Sequence, residues 1–442
     1  MIEKLYEQYL ATRCITTDSR KITPGCIFFA LKGETFDGNA FARQALEQGA
    51  ALCVVSDPQY NNVDGCMVVD DVLETLQQLA RHHREQLTIP VIGITGTNGK
   101  TTTKELVNTV LSRRYRTHAT QGNFNNHLGV PLTLLSTPAD CELLIVEMGA
   151  NHPGEIQFLC NIAQPTCGLI TTVGKAHLEG FGSFEGVVQT KTELYRHLAM
   201  NHDESVIFVN ADNEVLMGQA ERLVSDKEGH PSLSIMTYGS SEEAQVKGSL
   251  VGSNPYMKFY FEDDDNVYTV QTQLVGDYNF TNAMAAVCVG RHFGVELFDI
   301  KEALEEYTPS NNRSQYKQTA HNGLLLDCYN ANPSSMKVAL DGFEAMQRDH
   351  KMVILGDMKE LGKESDEEHH RLVERLQKST TIESVMLVGD NFRPFVPDDS
   401  RFLWFASADE VKRFLTEHPI EDHTILLKGS NANRLWTLEE VL

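Results

Sequence analysis

Short runs of apolar and β-branched residues recur along this chain, each bounded by glycine, proline or polar clusters. Residues 91–95, 143–146, 169–173 and 206–209 are such runs, free of charged side chains. They predict strands covered on both faces. Between them the interval changes. Residues 104–114 place Leu106, Val107, Val110 and Leu111 at helical spacing. Alternation of strand and helix over residues 89–310 predicts a mostly parallel sheet flanked by helices.

From about residue 240 to 273 the period drops to two, as in Lys258-Phe259-Tyr260-Phe261 and Tyr268-Thr269-Val270-Gln271-Thr272. That pattern predicts antiparallel strands with one solvated face. Gly276-Asp277-Tyr278 then opens an alanine-rich helical stretch in which Asn279 and Asn282, three apart, share a face. Residues 1–88 read as a smaller α/β unit, with strands at 26–31 and 51–55 and a helix at 41–48 between them. Pro309-Ser310-Asn311-Asn312-Arg313-Ser314 reads as a linker. Beyond it, runs at 324–326, 352–355, 385–388 and 424–427 predict the strands of a third α/β unit. The expected division is therefore 1–88, 89–310 and 311–442.

Composition supports three soluble units. A chain of 442 residues exceeds one ordinary core. No apolar run reaches membrane-spanning length, so no membrane span is expected. The N-terminus lacks the apolar core of a secretory signal. The nine cysteines are scattered without a Cys-x-x-Cys pair. That is the usage of reduced thiols in a cytoplasm, not of a disulfide scaffold or a zinc site. A formal net charge of −23 disfavours nucleic acid or an anionic membrane surface as a partner.

The candidate chemistry centres on Gly96-Thr97-Asn98-Gly99-Lys100-Thr101-Thr102, between the first buried run and the first helical stretch. Glycines let backbone N–H groups approach phosphate oxygens, and the helix start adds partial positive charge. Lys100 would reach terminal phosphates and the Thr101 hydroxyl a magnesium ion. It is the shorter form of such a loop, since Ile94 stands where the longer form has glycine. Glu147 ends the run 143–146. A carboxylate there is placed to hold magnesium, although alone it equally fits a surface glutamate. His177 lies in a glycine-rich loop and alone reads as exposed. Lys191, near Glu193, alone reads as a solvated helix charge. Asp327-Cys328-Tyr329-Asn330-Ala331-Asn332-Pro333 forms a strand-to-loop corner rich in hydrogen-bonding groups, and Lys428-Gly429-Ser430 follows the last run.

Taken together and in order, these segments resemble the Mur ligase family of peptidoglycan synthesis. The resemblance covers nearly the whole chain. It includes Thr17-Asp18-Ser19-Arg20, Asn125-Asn126-His127-Leu128-Gly129-Val130-Pro131, Glu147-Met148-Gly149-Ala150-Asn151-His152 and Leu355-Gly356-Asp357-Met358-Lys359-Glu360-Leu361-Gly362. It implies a three-domain Mur ligase architecture, with a central P-loop-type sheet and a Rossmann-like C-terminal domain. Within the family, the pattern is most similar to members that add D-alanyl-D-alanine to a UDP-N-acetylmuramoyl-tripeptide. By that resemblance the first domain holds the UDP end, through Asp18, Ser19 and Arg20. The central domain binds ATP through Gly96, Thr97, Asn98, Gly99, Lys100, Thr101 and Thr102, with Asn279 or Asn282 at adenine. Arg313 and Asp327 complete the nucleotide site. Thr101, Glu147, His177 and a carbamylated Lys191 serve magnesium. Asn125 and Asn126 meet the peptide end of the UDP substrate, and Tyr329, Asn330 and Asn332 face the dipeptide. A cytoplasmic monomer is expected. The chain departs from the family pattern where Leu326, Tyr278, Asn39 and Asn312 stand in place of an aspartate, two histidines and a glycine.

The implied chemistry is ATP-dependent amide synthesis through an acyl phosphate. Rival readings are a sister ligase adding the third-position diamino acid, a folate polyglutamate-type ligase, and a nucleotide-driven switch that forms no bond.

Overall fold

A computed structural model describes residues 1–175, 178–200, 204–225, 232–263, 266–310 and 313–442. Among them the chain forms three separate sheets. The first carries β1 (Ile15–Thr16), β2 (Ile27–Phe29), β3 (Leu52–Val55) and β4 (Cys66–Val68), all parallel and in chain order. The second is built from β5 (Val91–Thr95), β6 (Thr117–Ala119), β7 (Leu143–Glu147), β8 (Cys167–Ile170), β9 (Ser205–Asn210), β10 (Leu233–Gly239), β11 (Val246–Ser253), β12 (Tyr256–Asp263) and β13 (Asn266–Val275). Its spatial order is β13-β12-β11-β10-β9-β8-β5-β7-β6. The third holds β14 (Gln315–Gln318), β15 (Gly323–Asp327), β16 (Lys351–Gly356), β17 (Ile382–Val388), β18 (Phe402–Phe405) and β19 (Thr424–Lys428), in the order β14-β15-β19-β16-β17-β18.

Every residue of β5, β7 and β8 is buried, as strands covered by helices on both faces must be. The period-two stretch forms β11, β12 and β13, which pair antiparallel. The central sheet is therefore parallel up to β11 and antiparallel at its far edge. In the third sheet only the β14–β15 pair is antiparallel.

Two helices weld the first unit onto the central one. These are α1 (Ile2–Thr12) and α2 (Val72–Gln86). Leu5, Tyr9, Leu76 and Leu79 share one core with Leu144, Val146 and Leu159. The buried Arg84 guanidinium donates to the carbonyls of Ala163 and Gln164, both at 2.9 Å, which satisfies a charge taken out of water. The third sheet instead packs into two apolar cores, to one of which the central unit lends Val275 and Tyr256. No described helix is long and apolar enough to cross a membrane.

Two local departures from the sequence pattern matter for the site. The run at 169–173 is strand only to Ile170, because Thr171 and Thr172 turn their hydroxyls to the Asn98 carbonyl, 2.5 and 3.2 Å away. The first central helix, α3 (Lys100–Leu111), starts four residues ahead of the apolar spacing, directly after Gly99. Gly99 holds φ +82° and Gly96 φ +146°, a left-handed region that favours glycine. A Cβ on Gly96 would also collide with the Thr171 hydroxyl.

Candidate active site between the central and C-terminal sheets

The carboxyl ends of β5, β7 and β8 face the carboxyl ends of β15 and β19 across a cavity of about 660 Å³. Open α/β sheets bind ligands at such strand ends. Lining it are the glycine loop, Glu147, Asn125, Asn126, Asn279, Asn282, Arg313, Asp327, Tyr329 and Asn330. Residues far apart in the chain thus share one wall-to-wall space.

Lys100 folds back over its own loop, its Nζ donating to the carbonyls of Gly96 at 2.7 Å and Thr97 at 3.1 Å. Burial pulls its ammonium down to about 8, against the nearby Glu147 carboxylate, which favours the charged form. Glu147 is 1% exposed, so the surface-glutamate alternative is ruled out. Its Oε1 accepts from the Asn125 amide at 2.8 Å. Its Oε2 and the Thr101 hydroxyl are buried with no hydrogen-bond partner among the described residues. Two orphaned oxygens beside a glycine loop are the donors a magnesium ion takes, with phosphate and water completing its shell. The residues present therefore fit that ion.

Lys191 ends α4 (Phe184–Lys191) and is 2% exposed, which overturns the solvated-charge reading. Its Nζ donates to the Ala150 carbonyl at 3.2 Å and sits 5.3 Å from the centroid of the Phe181 ring. Burial drives its ammonium well below the ordinary lysine range, and the positive charge of Lys100 pushes the same way. His177 lies outside the described residues.

Three family models match in chain order: a "Mur ligase family, catalytic domain" over residues 12–84, a "Mur ligase middle domain" over 94–290, and a "Mur ligase, glutamate ligase domain" over 312–431. The chain belongs to the Mur ligase family. It is 34% identical over 435 residues to the UDP-N-acetylmuramoyl-tripeptide–D-alanyl-D-alanine ligase of Bacillus subtilis (strain 168), covering 95% of this chain and 91% of that one. The crystal structure of MurF from Acinetobacter baumannii superposes with a TM-score of 0.84 at 31% identity, covering 98% and 97% of the two chains. The MurF ligase of Thermotoga maritima in complex with ADP gives a TM-score of 0.83 at 27% identity, covering 98% and 97%.

The geometry of this Mur ligase refines several sequence expectations. Asn125 holds Glu147 by one lobe, a contact no sequence spacing could reveal. Asn279 and Asn282 are nearly buried and bonded to each other, 2.9 Å apart, while Asn282 also accepts from the Thr103 hydroxyl at 3.0 Å. They stiffen the cavity wall beside the glycine loop. Lys428, 1% exposed, donates to Asp327 at 2.6 Å and fixes its carboxylate at the rim. Asn332 is 4% exposed, and its Oδ1 caps α5 (Pro333–Ala345) by accepting from the Ser335 N–H at 2.8 Å. The Asn-Pro pair carried that signal, since proline favours the first helical position after an asparagine cap. Asp18 and Arg20 pair with each other at 2.9 Å on the first unit, and neither they nor Ser19 line the cavity. Asn39, one of the departures from the family pattern, is 4% exposed and braces its own unit by accepting from the N–H groups of Ser56 and Asp57.

Proposed function

We infer that the protein is an ATP-dependent ligase that joins D-alanyl-D-alanine to a UDP-N-acetylmuramoyl-tripeptide, releasing ADP and phosphate, in peptidoglycan precursor synthesis. The observation that carries this reading is nearly full-length similarity to ligases of that name, with the glycine loop, Glu147, Arg313 and Asp327 converging on one cavity. Residues 1–88 hold the UDP end, 89–310 bind ATP, and 311–442 present the dipeptide. The absence of a membrane-length helix among the described residues and the reduced cysteines suit a cytoplasmic enzyme.

A carboxylate is a poor electrophile, so the γ-phosphoryl group of ATP first converts the tripeptide carboxylate to an acyl phosphate. Lys100 leaves its loop carbonyls and pairs with the transferring phosphoryl oxygens, whose charge grows in the transition state. Thr101 and Glu147 would hold magnesium, with His177 as a further ligand by family resemblance. When bound, that ion neutralises phosphate charge that otherwise repels the incoming carboxylate. The dipeptide amine then attacks the acyl carbon and displaces phosphate. An acyl phosphate hydrolyses readily, so the C-terminal unit must cover the cavity during this step.

Lys191 is proposed to be carbamylated. Burial favours the uncharged amine, the form that adds to carbon dioxide, and loss of a proton from the product leaves an anionic oxygen of the kind magnesium takes. The amide-rich, neutral segment Tyr329-Asn330-Ala331-Asn332-Pro333 favours a dipeptide over a free diamino acid, whose extra charges would want charged partners.

Phosphate release tests the reading. With ATP and the UDP-tripeptide, D-alanyl-D-alanine should support turnover, and a free diamino acid should not. Turnover with UDP-dipeptide plus a diamino acid would replace this assignment with the sister ligase. Turnover without any amine acceptor would point to a nucleotide switch.

A further inference from the structure

The glycine loop is gripped from two sides. From the central unit, the Asn98 N–H donates to the Thr172 hydroxyl at 3.0 Å, and the Asn98 carbonyl accepts from the Thr171 hydroxyl at 2.5 Å. From the C-terminal unit, 234 positions along the chain, Asn332 Nδ2 donates to Asn98 Oδ1 at 2.9 Å. The Asn332 side chain is thereby used at both ends: its oxygen caps α5 and its nitrogen holds the loop.

The neighbouring contacts follow the same line. Ser334, two residues on, packs so closely on Gly174 that a Cβ there would lie 2.9 Å from its hydroxyl. Gly174 in turn donates its N–H to the Thr97 hydroxyl, back in the glycine loop, at 3.1 Å. Farther out, Lys175 lies 3.5 Å from Glu364 and 3.6 Å from Glu368. The first two units share one large core, whereas the C-terminal unit's cores take only Val275 and Tyr256 from the central unit among the described residues. The start of α5 is thus the part of a separately packed body that rests on the loop.

We propose that Asn332 is a positioning residue whose amide ties docking of the C-terminal unit to the shape of the phosphate-binding loop. The proposal rests on the glycine loop being the ATP site. When the units part, Asn98 loses its side-chain partner and the loop keeps only its contacts to Thr171 and Thr172. When they dock, the partly buried amide pair forms and sets the loop for phosphoryl transfer. ATP is then used chiefly when the unit that presents the amine is in place.

The test must separate this clasp from the helix cap and from direct dipeptide contact. Asn332→Ser keeps a good capping oxygen but is too short to reach Asn98. Asn98→Ala removes the partner and leaves its backbone bonds. Each single variant should lower kcat about 10-fold, with the melting temperature and the dipeptide KM near wild type. The double variant should be no worse than the weaker single one, as for two halves of one interaction. Losses that multiply in the double variant would overturn the proposal. So would an unchanged kcat in Asn332→Ser, or a raised dipeptide KM at unchanged kcat, which would restore direct contact with the acceptor. Direct ATP binding by the wild type, followed calorimetrically, checks the underlying reading separately. Absence of that binding would remove the site itself, whatever the variants do.

Discussion

The guanidinium of Arg313 lies 3.7 Å from the centroid of the Tyr329 ring. Arg313 comes from the linker ahead of β14 and Tyr329 from the loop after β15, and both line the cavity. The Arg313 Nε is buried without a hydrogen-bond partner among the described residues, which leaves the guanidinium face free to lie against the ring. Family resemblance implies Arg313 at the nucleotide and Tyr329 at the dipeptide, and on that assignment their contact would couple the two.

Tyr329→Ala should therefore raise the KM for ATP, although the tyrosine belongs to the acceptor side. A partly desolvated cation–π pair of about 1–2 kcal/mol corresponds to roughly a 5- to 30-fold change. Tyr329→Phe keeps the ring face and should stay close to wild type for ATP. Equal ATP KM values for the Ala variant and the wild type would show that Arg313 needs no such support.

Lys100→Ala should cost about two to three orders of magnitude in kcat while leaving the thermal transition in place. Among the described residues the amine bonds only loop carbonyls, so its removal takes charge from the transition state and little from packing. Single-turnover phosphate release with saturating ATP measures the loss, and near-normal turnover would reject the phosphate-loop assignment.

Much of this site could be read from the chain because its signals are local. The loop Gly96 to Thr102 carries its own glycines, and β5, β7 and β8 carry their own apolar runs. The short edge strand β6, Thr117-His118-Ala119, has no comparable pattern, so it needs its neighbours to exist. The burial of Lys191 is of the same kind: Ala150 and Phe181 enclose it, and nothing within α4 announces that. Asn332 shows the opposite case, where the local capping signal was present and the partner that gives it meaning lay 234 positions away.

Acid should loosen the seam between the first two units. His83 on α2 is 1% exposed, and burial, with the positive charge of Arg13 adding, lowers its imidazole to about 4. Its Nδ1 lies 3.1 Å from the Tyr6 hydroxyl, and its ring sits edge-on to Tyr9 at 5.1 Å. Above the ordinary histidine value near 6.5 both folded and unfolded chains are neutral there, and stability is unaffected. As pH falls from about 6.5 towards 4, the unfolded chain takes a proton that the folded one refuses, so stability drops, on the order of 3 kcal/mol in all. Urea titrations across that window should show this slope, and His83→Leu should flatten it. An unchanged slope in the variant would place the acid sensitivity elsewhere.

The proposed carbamate on Lys191 makes a sharper demand. As a plain amine the side chain offers magnesium no anionic ligand, and both burial and the positive charge of Lys100 disfavour its protonated form. As a carbamate it brings an anionic oxygen on a longer arm, which magnesium accepts as it does a carboxylate. Lys191→Ala should therefore lose most activity, and small carboxylic acids such as acetate should restore part of it by occupying the emptied ligand position. Restoration should saturate with acetate and fail with an uncharged isostere such as acetamide, which separates ligand replacement from cavity filling. Wild-type enzyme depleted of bicarbonate should weaken and recover when bicarbonate returns. A readout independent of turnover is carbon-13 NMR with labelled bicarbonate, where the wild type should show a carbamate resonance that Lys191→Ala lacks. A bare amine under saturating bicarbonate, together with full activity of Lys191→Ala, would leave Lys191 as a structural lysine bonded to Ala150 and nothing more.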